Sequence, residues 1–205
     1  EMRKYDSSLL QIVLQLKDTA GIIAVYNRNG VYFQEMGKKE EAENYYKLAL
    51  GLGLEKAQSD KTAEVYSNLG SVALSVGEKD KAIDWFFRAL RLFEQNGQEK
   101  GMGETYSNIS SVYYLMGKTD DAIAYQQKSI AQREKINDRN GLVITYVNVG
   151  QLFILKNNMP QSLQYLQKAV QYAEELKNPR LMATAYSGMT AYAGRNKAYN
   201  EALEW

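Results

Sequence analysis

Two pairs of adjacent carboxylates are the residues of this chain best suited to acid/base chemistry. They are Glu40–Glu41 and Asp120–Asp121. Two neighbouring carboxyl groups can divide the roles of general acid and general base between them. Each pair also lies where the sequence pattern predicts the start of a helix, and negative charge is stabilised there by the helix dipole. We therefore interpret both pairs as helix-start residues and predict no catalytic residue.

The chain contains no cysteine and no histidine. This excludes disulfides, thiol nucleophiles, Cys/His zinc sites and every histidine-based catalytic dyad or triad. The two Gly-x-Gly stretches, residues 51–53 and 101–103, do not extend to the phosphate-binding patterns of nucleotide sites. We predict that the protein is not an enzyme and that it has no cofactor and no metal site.

The composition is that of an ordinary folded protein. Of the 205 residues, 45% are hydrophobic and 24% are charged, and 25 Lys and Arg against 24 Asp and Glu leave a net charge of +1. The sequence has no basic stripe of the kind that binds phosphates, so we expect no direct binding of nucleic acid. No apolar run approaches the roughly 20 residues of a membrane span, so we predict no membrane segment. We expect a soluble protein, cytoplasmic or periplasmic, whose compartment the sequence leaves open.

A 40-residue period runs along the whole sequence. We call positions that lie 40 residues apart a column. One column holds only tyrosine: Tyr26, Tyr66, Tyr106, Tyr146 and Tyr186. A second holds glycine three times and then other residues: Gly37, Gly77, Gly117, Asn157 and Lys197. A third holds only small residues: Ala42, Ala82, Ala122, Ser162 and Ala202. Periods of about 20–50 residues indicate repeat proteins, in which each repeat buries its apolar face against the next.

Each repeat predicts two helices. Apolar residues at helical spacing run over Ala63–Val76, Gly77 interrupts them, and a second apolar face runs over Lys81–Glu94. No segment alternates as a half-buried strand does, so we predict an all-α protein. We describe it as one array: residues 1–18 as the second helix of a truncated upstream repeat, repeats at 22–58, 62–98, 102–138 and 142–178, and a truncated repeat at 182–205. Since neither end carries a polar-faced cap, we expect a piece of a longer protein.

Six columns carry a resemblance to the tetratricopeptide repeat family. They are represented by Tyr66, Leu69, Gly70, Ala82, Phe86 and Ala89. The resemblance implies a right-handed superhelical solenoid of antiparallel helix pairs, in which Gly70 and Ala82 let two helices approach closely. The chain departs from the family in its period, which is 40 residues instead of 34. It also has Gln126 where an aromatic residue is expected, and we expect a looser or wetter core in that repeat.

The resemblance also implies a peptide-binding groove. In such arrays the first helix of each repeat lines a concave surface, and the residue two after the column tyrosine points into it. The implied lining is Arg28, Asn68, Asn108 and Asn148, flanked by Ser71, Ser111 and Gln151, with Asn27, Gln34 and Tyr114 also facing inward. The three asparagines would form a ladder, and a carboxamide can bridge the N–H and C=O of an extended peptide. This is similar to the grooves of kinesin light chains, of scaffolds with Leu-Gly-Asn repeats and of bacterial peptide receptors. The other interpretation is that the asparagines are solvated or bond to neighbouring helix ends.

We favour a scaffold that binds a protein or an extended peptide in this groove. By similarity to 40-residue arrays that precede bacterial output modules, we expect a regulatory or sensory part of a larger bacterial signalling protein. The alternative is a structural module that self-associates through the exposed ends of the array, at Leu9, Ile12, Val13 and Leu16 and at the Trp205 end. An enzyme is the least favoured hypothesis.

Overall fold

The computed structural model describes the backbone of residues 11–55 and 60–203, and the side chains of residues 11–52 and 61–197. All regular secondary structure in these residues is α-helical. Residues 11–15 are helical and form the described part of α1. The following helices are α2 (Thr19–Glu35), α3 (Lys39–Glu55), α4 (Asp60–Ser75), α5 (Lys79–Gln95), α6 (Glu99–Leu115), α7 (Thr119–Lys135), α8 (Arg139–Leu155), α9 (Met159–Glu175) and α10 (Pro179–Leu203). The prediction of an all-α protein built from helix pairs is confirmed.

Short turns with a left-handed residue end most of these helices. Such residues lie 20 positions apart, or 40 apart across the undescribed residues 56–59: Lys17, Gly37, Gly77, Gly97, Gly117, Asn137, Asn157 and Lys177. After α2, the N–H of Gly37 donates to the carbonyl of Gln34, and the N–H of Lys38 donates to the carbonyl of Phe33. This pair of bonds is the Schellman motif, which satisfies the last carbonyls of a helix and reverses the chain. The glycine column of the sequence therefore marks the turn between the two helices of a repeat.

Side chains also define where helices begin. The carboxylate of Asp138 accepts the N–H of Gly141 at 3.0 Å, and the side chain of Asn158 accepts the N–H of Gln161 at 3.3 Å. These bonds satisfy N–H groups that have no partner inside the helix. Pro160 lies in the first turn of α9, where a missing N–H costs nothing. The acidic pairs at 40–41 and 120–121 lie in the first turns of α3 and α7, as we interpreted them from the sequence.

The last helix corrects one expectation. The turn expected at Lys197 does not form, and α10 continues through this position for 25 residues in all. A left-handed conformation costs a non-glycine residue about 1–2 kcal/mol, which a continuing helix avoids. The residues that follow include Ala198, Glu201, Ala202 and Leu203, all good helix formers. The fifth repeat therefore contributes one long helix instead of the start of a pair.

The helices form two compact units, Glu1–Gly101 and Met102–Trp205. In the first unit α2 packs on α3 and α4 on α5, and α4 also packs on both α2 and α3. In the second unit α8 packs on α9 and on α7, and α10 packs on both α8 and α9. Within each unit, helix pairs are thus stacked so that the first helix of one repeat lies against the first helix of the next.

Close helix contacts depend on glycines that face bulky side chains. A Cβ atom added to Gly70 would lie 2.7 Å from the ring of Phe86, and one added to Gly30 would lie 2.3 Å from the ring of Tyr46. Gly150 faces Leu166 in the same way, at 2.6 Å. We expected Gly70 to allow a close approach of two helices. The three atoms nearest to a Cβ added there all belong to the ring of Phe86, which lies directly on the glycine backbone.

The column tyrosines are not equally buried. Tyr66 and Tyr146 are buried, Tyr26 and Tyr106 are half-buried, and Tyr186 is 44% exposed. The ring of Tyr66 stacks on Trp85 with the ring centroids 5.5 Å apart, and that of Tyr146 lies 6.1 Å from Tyr165. These contacts place the two buried members of the column in the core.

Candidate binding cleft

A cleft of about 440 Å³ opens in the second unit. Its walls come from α6, α8 and α10, which are the first helices of three successive repeats, and one residue comes from α7. The polar lining consists of Ser110, Ser111, Tyr114, Gln126, Asn148 and Gln151. Ligand pockets in proteins typically have volumes of about 300–1,000 Å³, so this cleft has room for a side chain and a short piece of backbone.

The rest of the lining is apolar. It consists of Leu152, Ile154, Leu155 and Ala191. No Asp, Glu, Lys or Arg contributes to the described wall of the cleft. A charge brought into such a site would lose its hydration without gaining a counter-ion. The cleft is therefore suited to an uncharged group with both polar and apolar parts.

Four residues of the predicted groove lie in this cleft: Ser111, Tyr114, Asn148 and Gln151. Tyr114 is 47% exposed, and Gln151 is also exposed. The hydroxyl of Ser111 donates to the carbonyl of Ser107, 3.1 Å away. Asn148 is half-buried, and its carboxamide has no hydrogen-bond partner among the described residues. Asn148 is thus free to bond to a ligand.

Gln126 was not among the predicted groove residues, although it lines the cleft. In its column the other repeats have Tyr46, Phe86 and Leu166, and each of these side chains lies against a glycine. In this repeat the glycine is replaced by Ser110, whose hydroxyl donates to the carbonyl of Ala122 at 2.7 Å. The sequence signal for the cleft was the missing aromatic residue. The space that we expected as a looser core is open to a ligand.

A chain of buried polar contacts leads away from Gln126. The hydroxyl of Ser107 donates to Oε1 of Gln126 at 3.2 Å and lies 2.9 Å from the hydroxyl of Ser129. Ser129 donates to the carbonyl of Gly103 at 2.7 Å and accepts from Nε of Arg133 at 3.2 Å. The guanidinium of Arg133 also forms an ion pair with Asp138. The guanidinium charge thus has its counter-ion beside it, and the charge is not directed at the cleft.

The predicted groove residues of the first unit are more strongly engaged in internal contacts. Nδ2 of Asn68 donates to Oδ1 of Asn27 at 2.7 Å, and Nδ2 of Asn27 lies 3.5 Å from Oε2 of Glu64. Asn27 is only 9% exposed. Asn27 therefore acts as an internal partner that positions Asn68, and only the half-buried Asn68 retains some access to solvent.

Three further predicted residues lie in the first unit. Gln34 accepts a hydrogen bond from the hydroxyl of Tyr46 at 2.9 Å. Burial, and to a lesser extent the charge of Glu35, raises the pKa of Tyr46, so this phenol stays protonated and keeps donating to Gln34. The hydroxyl of Ser71 donates to the carbonyl of Ser67 at 3.1 Å, and Arg28 is exposed.

The expected ladder of asparagines is divided between the two units. Asn68 belongs to the first unit, and Asn108 and Asn148 belong to the second. Asn108 is half-buried on α6 and does not line the cleft. The alignment of the three side chains along one surface stays a prediction.

Other kinds of site find no support in the described residues. No group of three or more acidic side chains there is arranged to hold a metal ion. Asp120 forms an ion pair with Lys156. None of the described helices is long and apolar enough to cross a membrane.

Known structures share this architecture. Aspartyl phosphate phosphatase F from Bacillus subtilis superposes with a TM-score of 0.82 at 17% identity, over 98% of this chain and 54% of that one. BtubC from P. vanneervenii superposes with a TM-score of 0.76 at 16% identity, over 98% of this chain and 88% of that one. The third is a signal transduction ATPase with numerous domains and a tetratricopeptide repeat sensor, from Pyrococcus horikoshii. It superposes with a TM-score of 0.73 at 17% identity, over 83% of this chain and 27% of that one.

These identities indicate a common fold, and this chain spans about half the length of the phosphatase. A search of curated protein sequences found no significant match. The tetratricopeptide repeat family matches residues 21–95 and 101–175, which together make up most of the sequence. The matched segments contain most of α2 and α6 and all of α3–α5 and α7–α9, the same four helix pairs that the 40-residue period predicts. The chain belongs to the tetratricopeptide repeat family.

Proposed function

We propose that this protein is an interaction scaffold and that the cleft in its second unit binds an extended segment of a partner protein. Repeats of this family generally serve as protein-binding scaffolds without enzymatic activity. The observation that carries the proposal is the free carboxamide of Asn148 in an uncharged cleft beside Gln151. A carboxamide offers both a donor and an acceptor, so it can pair with the backbone of a peptide whatever the peptide's side chains are.

Each contact of this kind contributes modestly. A hydrogen bond typically adds about 0.5–1.5 kcal/mol net, so affinity would come from several backbone contacts together with burial of the exposed apolar surface of Leu155. Because no charged residue lines the cleft, binding should depend only weakly on salt concentration, unlike charge-steered association.

A peptide-display selection tests the proposal. The full 205-residue chain is immobilised, peptides are selected from a library of random seven-residue sequences, and their affinity for wild type and variants is measured. We expect selected peptides to bind the Asn148→Ala/Gln151→Ala variant about tenfold more weakly, which corresponds to the loss of about 1.4 kcal/mol. Asn140→Ala is the matched control, since Asn140 is an exposed asparagine of the same helix outside the cleft.

Two results would count against the proposal. One is that the library yields no binder. The other is that the selected peptides bind the double variant and the control equally well. Thermal unfolding of each variant, followed by circular dichroism, shows that a loss of binding does not come from a loss of structure.

A regulatory or sensory role in a larger protein is the finer part of the proposal. It is supported by the repeat sensor named in the Pyrococcus horikoshii protein, which shares the fold. The role predicts that a cognate peptide, once found, changes the activity of whatever domain the full-length protein joins to this one. An activity that is the same with and without saturating peptide would contradict it.

Self-association through the first helix is the second candidate function. Ile12 in α1 is 52% exposed and Leu16 in the turn that follows is 72% exposed, whereas Val13 is buried. Leu9 and Trp205, the other residues expected at the array ends, lie outside the described residues. Exposed apolar surface favours association. Sedimentation of wild type and Ile12→Ser/Leu16→Ser over a wide concentration range tests this hypothesis, and a wild type that is monomeric at millimolar concentration would exclude it.

A further inference from the structure

Gln126 is a buried polar residue whose hydrogen bonds are incomplete. Its side chain is 2% exposed and lines the cleft, and one end of its amide contacts Ser107. The other polar atom has no partner among the described residues, and it reaches the surface of the cleft, because every fully buried side-chain nitrogen or oxygen there is hydrogen-bonded. A polar atom that an otherwise buried side chain holds at a cleft wall can take a ligand as its hydrogen-bond partner in place of water.

The neighbouring hydroxyls determine which atom Gln126 can offer. Ser107 has one proton and two acceptors in reach, Gln126 at 3.2 Å and Ser129 at 2.9 Å. Ser129 donates its own proton to Gly103, so the contact between the two serines needs the proton of Ser107. A half-turn of the Gln126 amide then places its NH₂ group next to Ser107 and its carbonyl next to the cleft. With the proton of Ser107 directed at Gln126 instead, the NH₂ group faces the cleft.

An uncharged group that can both donate and accept a hydrogen bond matches Gln126 in either arrangement. A carboxamide does so, since it donates through its NH₂ group and accepts through its carbonyl. A carboxylate can only accept and an ammonium can only donate, and neither would find a counter-ion in the described lining. The apolar side chains of Leu152 and Leu155 border the same space and suit the methylene groups that precede a carboxamide.

We infer that the cleft takes an asparagine or glutamine side chain of the bound segment, and that Gln126 is the residue that selects it. The inference rests on the proposed function and adds to it the chemistry of one ligand position. Gln126 belongs to α7, a second helix, and replaces the bulky residue that fills the core in other repeats. Selectivity for one side chain is thereby added to the backbone recognition that Asn148 provides.

The experiment compares wild type with Gln126→Leu, using the same display library. The next repeat has a leucine, Leu166, in the same column, and this leucine is fully buried. The variant therefore introduces a residue type that the chain already packs at the equivalent position. Gln127→Leu is the matched control, since Gln127 is exposed and does not line the cleft. We expect peptides selected on wild type to share Asn or Gln at one position. We expect them to bind Gln126→Leu at least tenfold more weakly and Gln127→Leu with unchanged affinity.

A second measurement needs no protein variant. In a selected peptide the shared Asn or Gln is changed to Asp, Lys or Leu, and each change should weaken binding to wild type at least tenfold. When binding is measured on the Gln126→Leu protein, changing the peptide's Asn or Gln to Leu should alter the affinity little, because the protein partner of the carboxamide has already been removed.

The outcomes separate the inference from the function on which it rests. A library that yields no binder overturns both. Peptides that depend on Asn148 and Gln151 but share no Asn or Gln would support the proposed function and overturn the inference. The same conclusion follows if the carboxamide position tolerates Asp and Lys on wild type. If the Gln126→Leu variant does not fold, the peptide substitutions measured on wild type decide the inference alone.

Discussion

The contact between Gly70 and Phe86 provides the sharpest test of the packing. Replacing Gly70 with Ala places a Cβ atom 2.7, 2.8 and 2.9 Å from three atoms of the Phe86 ring. Carbon atoms in good contact are separated by about 3.5–4.0 Å. The ring is 1% exposed and would have to move by most of an ångström within the core.

The size of the effect follows from two opposing contributions. Overpacking of this kind costs about 1–3 kcal/mol, and three simultaneous contacts place the cost in the upper part of that range. Alanine is favoured over glycine in a helix by about 1 kcal/mol. We therefore expect Gly70→Ala to lower the free energy of unfolding by about 1–2 kcal/mol.

Gly51→Ala is the matched control. Gly51 also lies inside a helix of the first unit, and no atom of the described residues would lie within 4 Å of its new Cβ. Only the helix-forming contribution remains, so this variant should be stabilised by up to about 1 kcal/mol. The measurement is urea unfolding followed by circular dichroism, with Phe86→Leu and the Gly70→Ala/Phe86→Leu double variant completing a cycle. We expect Phe86→Leu to cost less in the Gly70→Ala background, since leucine lacks the ring atoms that collide. Equal effects at the two glycines, or strict additivity in the cycle, would refute the reasoning.

Two further predictions concern polar contacts. Burial and the hydrogen bond to Glu134 raise the pKa of Tyr146 above its ordinary value of 10. The protonated phenol therefore stabilises the folded state fully below about pH 10, and this stabilisation is lost as the pH rises further. Tyr146→Phe should therefore make the free energy of unfolding fall less steeply between pH 10 and pH 12, and an unchanged slope in urea titrations would contradict this. Asn68→Ala should cost about 1 kcal/mol because it leaves Oδ1 of the buried Asn27 without its donor, whereas Asn148→Ala should change stability by less than about 0.5 kcal/mol. Thermal unfolding compares these two variants, and equal losses would mean that Asn148 has a structural partner too.

Much of the fold follows from local sequence. The spacing of apolar residues and the glycine column predicted the helix pairs, because helical periodicity and left-handed turns depend on residues close together in the chain. Each predicted repeat begins two or three residues after the start of the corresponding first helix, since capping residues such as Asp138 are polar and lie before the apolar face. The long α10 was missed. A lysine adopts the left-handed turn at Lys177 but not at Lys197, so residue type alone did not decide the matter.

The candidate site depended on tertiary structure to a greater extent. The resemblance to the family and the repeat phase together selected Ser111, Tyr114, Asn148 and Gln151 as groove residues, and all four line the cleft. The phase contributes because residues 40 apart occupy equivalent positions on successive first helices. Whether a side chain is free is not a property of its column. Asn68 and Asn148 share a column, yet only Asn68 is bonded to another asparagine, because Asn27 lies beside it.

Gln126 is a second residue whose role the sequence alone did not decide. The sequence revealed that a polar residue replaces an aromatic one, but a buried glutamine can be fully bonded in a core or directed at a ligand. Ser107 bonds one end of the amide, and the cleft leaves the other end open. Ser107 lies on α6 and the walls of the cleft also include α8 and α10, so this environment exists only once four helices have packed together. Sequence periodicity therefore determined which residues occupy equivalent positions on successive helices, and the packing of helices distant in sequence decided which of them lack an internal partner.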